Sequence, residues 1–270
     1  MNPTHRAWAA AVIIGFFSIV GFASVASADH AWGNYHWART TPTFTLKLGN
    51  NLSSVWQSYL TVASADWSLS GVLDTNIVAG SAGRNCKAAA GRVEVCNAKY
   101  GQNGWLGIAS VWISGSHITQ GTVKMNDTYF NTATYNKASW RQMVLCQEVG
   151  HTLGLDHQDE GHSNSNLGTC MDYTSDPARS DGLGNNLKPN AHDYEQLATI
   201  YSHLDTTTTL AQSTAMLKGR ATLEADLGDD PATWGAEIRR SKGGHASVFE
   251  KDFGNGEKIF RHVFWAEPKK

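Results

Sequence analysis

The chain lacks an excess of charge of either sign. Its 270 residues include 22 basic and 24 acidic side chains, a formal net charge of −2, and no basic run. A protein that binds nucleic acid through phosphates needs a clustered positive surface, so no nucleic-acid partner is expected. At 41% hydrophobic and 17% charged residues, with 26 glycines, the composition is typical of a globular protein rather than a disordered chain or a coiled coil.

Long apolar runs are absent after the first thirty residues, so no later stretch could span a bilayer. At the N-terminus, an uncharged apolar run over residues 7–22 is followed by small residues that end in Ala26-Ser27-Ala28. This order predicts a secretory signal peptide over residues 1–28, cut after Ala28. The mature protein would be secreted or extracytoplasmic, without stable membrane association. An uncleaved membrane anchor is the alternative, because the run carries no charge.

The four cysteines lack the C-x-x-C spacing of a zinc finger. Export favours disulfides, and four cysteines allow three pairings. Cysteines that are close in sequence pair most easily, which favours the disulfide Cys86–Cys96. The remaining pair is then Cys146–Cys170. Free buried thiols are the alternative.

Asp205 and the threonine run over residues 206–209, with a change of composition beyond them, divide the chain into a main domain over residues 29–205 and a remainder over 206–270. In the first, the patterns predict strands at residues 43–48, 72–78, 105–113 and 118–125, and helices at 50–67, 136–155 and 190–204. The second part is predicted to be a linker and a small β-rich C-terminal extension, with a hairpin over residues 246–251 and 258–265. A lone hairpin is marginal in water, so it should pack on the main domain or on a third strand near residues 234–239.

The most informative stretch runs QEVGHTLGLDH from Gln147 to His157. On a helix, positions 147, 148 and 151 lie within about one third of the circumference. Gln147, Glu148 and His151 should therefore face one spot. Gly154 allows the chain to leave the helix and turn back, so that His157 reaches the same spot. This is the geometry of a three-ligand zinc site with a carboxylate beside it, in which Glu148 accepts a proton from zinc-bound water.

The stretch resembles H-E-x-x-H-x-x-G-x-x-H, the signature of the metzincin zinc peptidases, which include matrixins, astacins and serralysins. Further along, Cys170-Met171-Asp172-Tyr173 resembles their Met-turn, with Met171 under the metal and Tyr173 two residues later. The resemblance covers residues 43–204 at motif level. It implies an α+β fold: a metzincin-like zincin domain with a twisted mixed sheet, an active-site helix and a C-terminal helix, here followed by the short β-rich tail.

The implied activity is that of a matrixin-like secreted metalloendopeptidase, a monomer that uses Zn²⁺ on peptide or protein substrates. Metzincins pair an extended peptide with an antiparallel edge strand above the zinc. The corresponding cleft residues would be Trp105, Leu106, Gly107, Ile108 and Ala109. The Cys146–Cys170 bond would staple the active-site helix to the Met-turn. Calcium is possible but unsupported: Asp176 and Asp181 lie in one polar loop, which lacks a twelve-residue calcium-binding pattern.

One position departs from the signature, since Gln147 stands where the first histidine belongs. An amide oxygen is a neutral, harder and weaker zinc ligand than imidazole. In a first interpretation, His151 and His157 bind zinc, Gln147 is a weak or water-bridged third ligand, and Glu148 is the general base. In a second, zinc binds but catalysis is impaired. In a third, the site is a relic in a secreted pseudopeptidase that binds proteins or peptides. The first is the hypothesis carried forward.

Overall fold

The computed structural model describes residues 30–81, 83, 85–210 and 228–267. The predicted signal peptide and most of the predicted linker lie outside the described residues. The strands are β1 (His36–Trp37), β2 (Phe44–Asn51), β3 (Leu73–Ala79), β4 (Arg92–Ala98), β5 (Trp105–Ser114), β6 (His117–Asn126), β7 (Ala236–Arg240), β8 (Ala246–Asp252) and β9 (Glu257–Trp265). The helices are α1 (Ser54–Trp67), α2 (Asp127–Phe130), α3 (Ala138–Thr152) and α4 (Ala191–Ile200), with a 3₁₀ turn at Pro231–Thr233.

All of these strands join one mixed sheet in the order β3-β2-β4-β6-β5-β9-β8-β7, and β1 pairs with the start of β6. The pairs β2–β3, β2–β4 and β4–β6 are parallel. From β6 through β5, β9 and β8 to β7, every pair is antiparallel. The expected α+β architecture with a mixed sheet is therefore present. Among the described helices, none is long and apolar enough to cross a membrane.

The helix ends differ from the predictions by a few residues. The first helix begins at Ser54 rather than at residue 50, because residues 50 and 51 remain hydrogen-bonded in β2. The helix α3 stops at Thr152, and α4 stops at Ile200. The strand β4 was not predicted. It lies between β2 and β6 and buries four consecutive residues, a pattern that lacks the alternation of a half-exposed strand.

The C-terminal extension forms the predicted hairpin, β8 and β9, and β7 is the third strand beside it. Its packing is more extensive than expected, because β9 also pairs with β5 along nearly the whole strand. Both faces of β9 are buried. Phe260 and Phe264 join the main apolar core, whereas Ile259, Val263 and Trp265 join a second apolar cluster on the opposite face. An extension buried on two faces is an integral part of the sheet.

Candidate active site

The C-terminal half of α3 places three predicted site residues in the interior. Gln147 has no exposed surface, and Glu148 and His151 are each 1% exposed. Trp67 on α1 donates its indole N–H to the carbonyl of Cys146. Apolar side chains such as leucine would be enough to pack a helix in this position. Packing alone therefore does not explain why a glutamine, a glutamate and a histidine are buried here together.

Gly154 ends the helical segment as predicted. Its φ is +101°, in the left-handed region, and a Cβ there would lie 2.7 Å from the carbonyl oxygen of Tyr35. Glycine is required at such a position because any side chain would be strained and would collide with backbone. The chain then turns back, and the rings of His151 and His157 meet edge to face with centroids 4.6 Å apart.

Both histidines are oriented by hydrogen bonds from Nδ1. In His151 this atom lies 2.9 Å from the carbonyl oxygen of Leu155, and in His157 it lies 3.2 Å from Glu160 Oε1. A carbonyl or carboxylate oxygen only accepts, so each Nδ1 carries the hydrogen and each Nε2 keeps its lone pair in the neutral ring. Metal-binding histidines are oriented in the same way by their outer partners.

Met171 and Tyr173 lie against this site. A Cβ placed on Gly150 of α3 would come within 2.5 Å of Met171 Sδ, which puts the methionine directly against the helix. Tyr173 contacts the His157 ring edge to face at 4.6 Å. The Cys146–Cys170 disulfide joins α3 to the segment that holds Met171, and the Cys86–Cys96 disulfide is also formed.

His262 on β9 also lies next to His151, although the sequence patterns did not identify it as a site residue. It is 1% exposed and lies opposite Ala109 of β5. Its ring stacks on His151, with centroids 4.2 Å apart and planes 13° from parallel. An imidazole nitrogen donates its lone pair in the ring plane, so two parallel stacked rings do not point at one ion. In this arrangement His262 covers His151 rather than sharing a metal with it.

Several buried polar atoms around α3 have no hydrogen-bond partner within the described part of the chain. They are both amide atoms of Gln147, Oε2 of Glu148, Nε2 of His157 and both ring nitrogens of His262. A buried polar atom without a partner costs about 1–3 kcal/mol, so this grouping calls for a polar ligand or an ion. Imidazole, amide and carboxylate groups are all donors that zinc accepts. Within the described residues, however, the ligand atoms that converge next to α3 are those of Asp156, His157 and Glu160, so the structure does not bring Glu148, His151 and His157 together as one set.

Burial also controls the ionisation of these groups. It raises the pKa of Glu148 well above its usual value, although a hydrogen bond from the Ala109 backbone opposes the shift. Burial, with the neighbouring His262 and His157, holds the pKa of His151 well below its usual value. The pKa of His262 falls to about 3, chiefly through burial. His151 and His262 are therefore neutral at physiological pH, and neutral imidazole is the form that binds metals.

The strand edge that was predicted to pair with a substrate peptide is already paired with another strand, which corrects one expectation. Residues 105–109 (Trp105, Leu106, Gly107, Ile108 and Ala109) do not line an open cleft, since all five are buried. The expectation that this segment is an edge strand is wrong because β9 takes the position beside β5, from Ser114 paired with Glu257 to Trp105 paired with Trp265.

The extension makes a second contact with the site through β7. The guanidinium of Arg239 donates to both carboxylate oxygens of Asp156 and lies 3.6 Å from Glu160 Oε1. Although burial alone would raise the pKa of Asp156, the hydrogen bonds from Arg239 hold it well below its usual range. The loop that carries His157 is thus tied to the extension by a charged pair.

No protein-family model matches the chain, and no curated protein matches it. Among solved structures, the crystal structure of myroilysin is similar, with 14% sequence identity over 67% of this chain and 97% of that chain and a TM-score of 0.34. A likeness this distant establishes neither a family nor an activity. The functional interpretation therefore depends on the residues of the site.

Proposed function

We propose that this protein is a secreted zinc-dependent metalloendopeptidase whose active site is covered by its own C-terminal strand. The observation that carries the proposal is the burial of Glu148 beside His151 and His157, whose Nδ1 atoms are both engaged and whose Nε2 atoms remain for a ligand. A purely structural role would leave these atoms hydrogen-bonded within the protein.

When bound, zinc would polarise the scissile carbonyl and lower the pKa of the attacking water. His151 and His157 would hold the ion, and Gln147 would be a weak or water-bridged third ligand. Glu148 accepts the proton of the attacking water and passes it to the leaving amine. Its burial favours the protonated form that this transfer produces, and the Ala109 N–H orients the carboxylate. Met171 supports the helix from below.

Access to this site requires β9 to move away from β5. As the chain stands, His262 covers the face of His151, and the strand to which a peptide would pair is already paired. The cover, together with Gln147, favours one competing function: a secreted pseudopeptidase that binds a protein or peptide without cleaving it. That protein would keep the scaffold but show no chelator-sensitive hydrolysis.

Metal analysis of the purified mature protein, together with digestion of a peptide library, distinguishes the peptidase from the pseudopeptidase. The peptidase is expected to contain zinc and to show cleavage that a chelator abolishes. Glu148→Gln should lower the cleavage rate by roughly 10²–10⁴-fold, the usual contribution of a general base, while the zinc content stays unchanged. Glu195→Gln, an exposed carboxylate on α4, is the matched control and should behave as the unmodified protein. If the purified protein contains no metal and cleaves no peptide, the proposed peptidase activity is wrong.

A further inference from the structure

A second histidine cluster lies where β1, the turn between β5 and β6, and the segment after α4 meet. His36 Nε2 is 3.3 Å from Asp205 Oδ1. His203 Nε2 is 3.1 Å from His36 Nε2 and 3.8 Å from the same carboxylate oxygen. His117 Nε2 also reaches this oxygen, at 3.1 Å.

These separations are those of ligand atoms around one metal ion. Ligands bound tetrahedrally to zinc at 2.0–2.2 Å lie about 3.3 Å from each other. The three distances that join His36, His203 and Asp205 are 3.1, 3.3 and 3.8 Å. A proton can be shared by two of these atoms, whereas a metal ion can be shared by all three.

The hydrogen bond of His36 Nδ1 leaves the Nε2 atom of the same ring to face the cluster. Its Nδ1 lies 2.8 Å from the carbonyl oxygen of Asn34, so Nδ1 carries the hydrogen. In the neutral ring, Nε2 then presents a lone pair to a carboxylate oxygen and to a second imidazole nitrogen. A metal ion between these atoms would be attracted by both lone pairs and by the carboxylate oxygen at once.

The carboxylate is fixed in the same manner as the histidine. Asp205 Oδ2 accepts a hydrogen bond from the backbone N–H of Arg39 at 2.9 Å, and His117 reaches Oδ1. Outer partners of this kind orient the ligands of metal sites.

We propose that His36, His203 and Asp205 form a second Zn²⁺ site, with His117 as the outer partner of the carboxylate and water in the fourth position. Two imidazoles and one carboxylate suit zinc, whereas calcium and magnesium prefer oxygen ligands throughout. The His203 side chain is 52% exposed and His36 only 5%, so solvent reaches the site from one side. The ion would tie the N-terminal strand to the chain that leaves α4.

The test is zinc stoichiometry and affinity of the mature protein after dialysis, with Co²⁺ absorption as an independent readout. In a His151→Ala background, which removes a ligand of the α3 site, one equivalent of zinc should remain. Adding His203→Ala should remove it or weaken its affinity by at least tenfold, since outer-partner losses alone cost about 10–100-fold. Because the His203 side chain is exposed, its replacement should leave the fold intact, and circular dichroism checks this.

Asp205→Asn keeps the shape of the side chain and should cause the same loss. His192→Ala, a histidine of α4 outside the cluster, is the matched control and should keep the zinc. If His203→Ala and Asp205→Asn bind as much zinc as this control, with the same affinity and cobalt spectrum, the second site does not exist. Because every arm reads metal content, the result is independent of whether the protein cleaves peptides.

Discussion

The two histidine clusters contrast in what holds them in place. At the α3 site, His151 and His157 are almost completely buried, and a strand more than one hundred residues away in sequence covers them. At the second cluster, His203 faces solvent, and within the described part of the chain the side chains that contact Asp205 Oδ1 are those of His36, His117 and His203. One site is therefore enclosed by a strand of the extension, whereas the other is open to solvent and arranged around a carboxylate oxygen.

This difference predicts different metal chemistry for the two sites. A metal ion reaches the open cluster directly, because one of its ligands projects into solvent. At the α3 site, by contrast, His151 is 1% exposed and one face of its ring is covered by His262 of β9, a strand that is paired along the length of β5. The α3 site should accordingly exchange zinc slowly and the second site quickly. Changes in the extension should alter the first and leave the second unaffected.

The largest expected effect comes from removing the covalent link at the α3 site. Cys146→Ala with Cys170→Ala opens a loop of 24 residues, and the chain-entropy relation gives a loss of about 3 kcal/mol in the free energy of unfolding. Zinc binding at the α3 site should weaken, because the disulfide joins the ligand helix to the Met171 segment. Urea unfolding and metal analysis measure both quantities.

The matched control is Cys86→Ala with Cys96→Ala, whose separation is 10 residues. It should also lower the stability, by a somewhat smaller amount because the loop is shorter. Neither cluster contains these cysteines, so zinc at both sites should be retained. Equal loss of zinc from the α3 site in the two double variants would show that the effect is global destabilisation.

Local sequence patterns predicted the parts of the α3 site that lie close together along the chain. Helical periodicity brings Glu148 and His151 to one face, and Gly154 turns the chain toward His157. His262 could not be predicted in this way, because its position depends on the pairing of β9 with β5. The second cluster has the same origin, since His36, His117 and Asp205 come from three segments with no shared motif. Backbone pairing between distant strands leaves little trace in local composition.

The next effect in size concerns Gln147, which stands where the metzincin signature has a histidine. Gln147→His supplies a third imidazole at the α3 site, and it should tighten zinc binding there by about tenfold or more, since even outer-partner changes alter affinity by 10–100-fold. Competition with a chelator measures this affinity, and cleavage should rise with it. The second site should be unchanged. An unaltered α3 affinity would mean that residue 147 does not reach the metal.

The smallest expected effect tests the cover itself. His262→Ala removes the ring that stacks on His151 while leaving the backbone pairing of β9 intact. Aromatic pairs contribute about 0.5–1.5 kcal/mol, which corresponds to roughly a two- to tenfold change in the population of the opened site. Zinc release to a chelator and peptide cleavage should both accelerate by a factor in this range.

His245→Ala is the control for this variant, because it removes another histidine of the extension that also stacks on an imidazole, that of His162 at 3.7 Å. It should leave zinc release from the α3 site unchanged. If His262→Ala instead slows zinc release or lowers the zinc content, His262 is itself a zinc ligand in place of the histidine that the signature has at position 147. Its ring would then adopt another position when metal is bound than the stacked one. Faster zinc release without any peptide cleavage would favour the pseudopeptidase, because the site would then be open and still inactive.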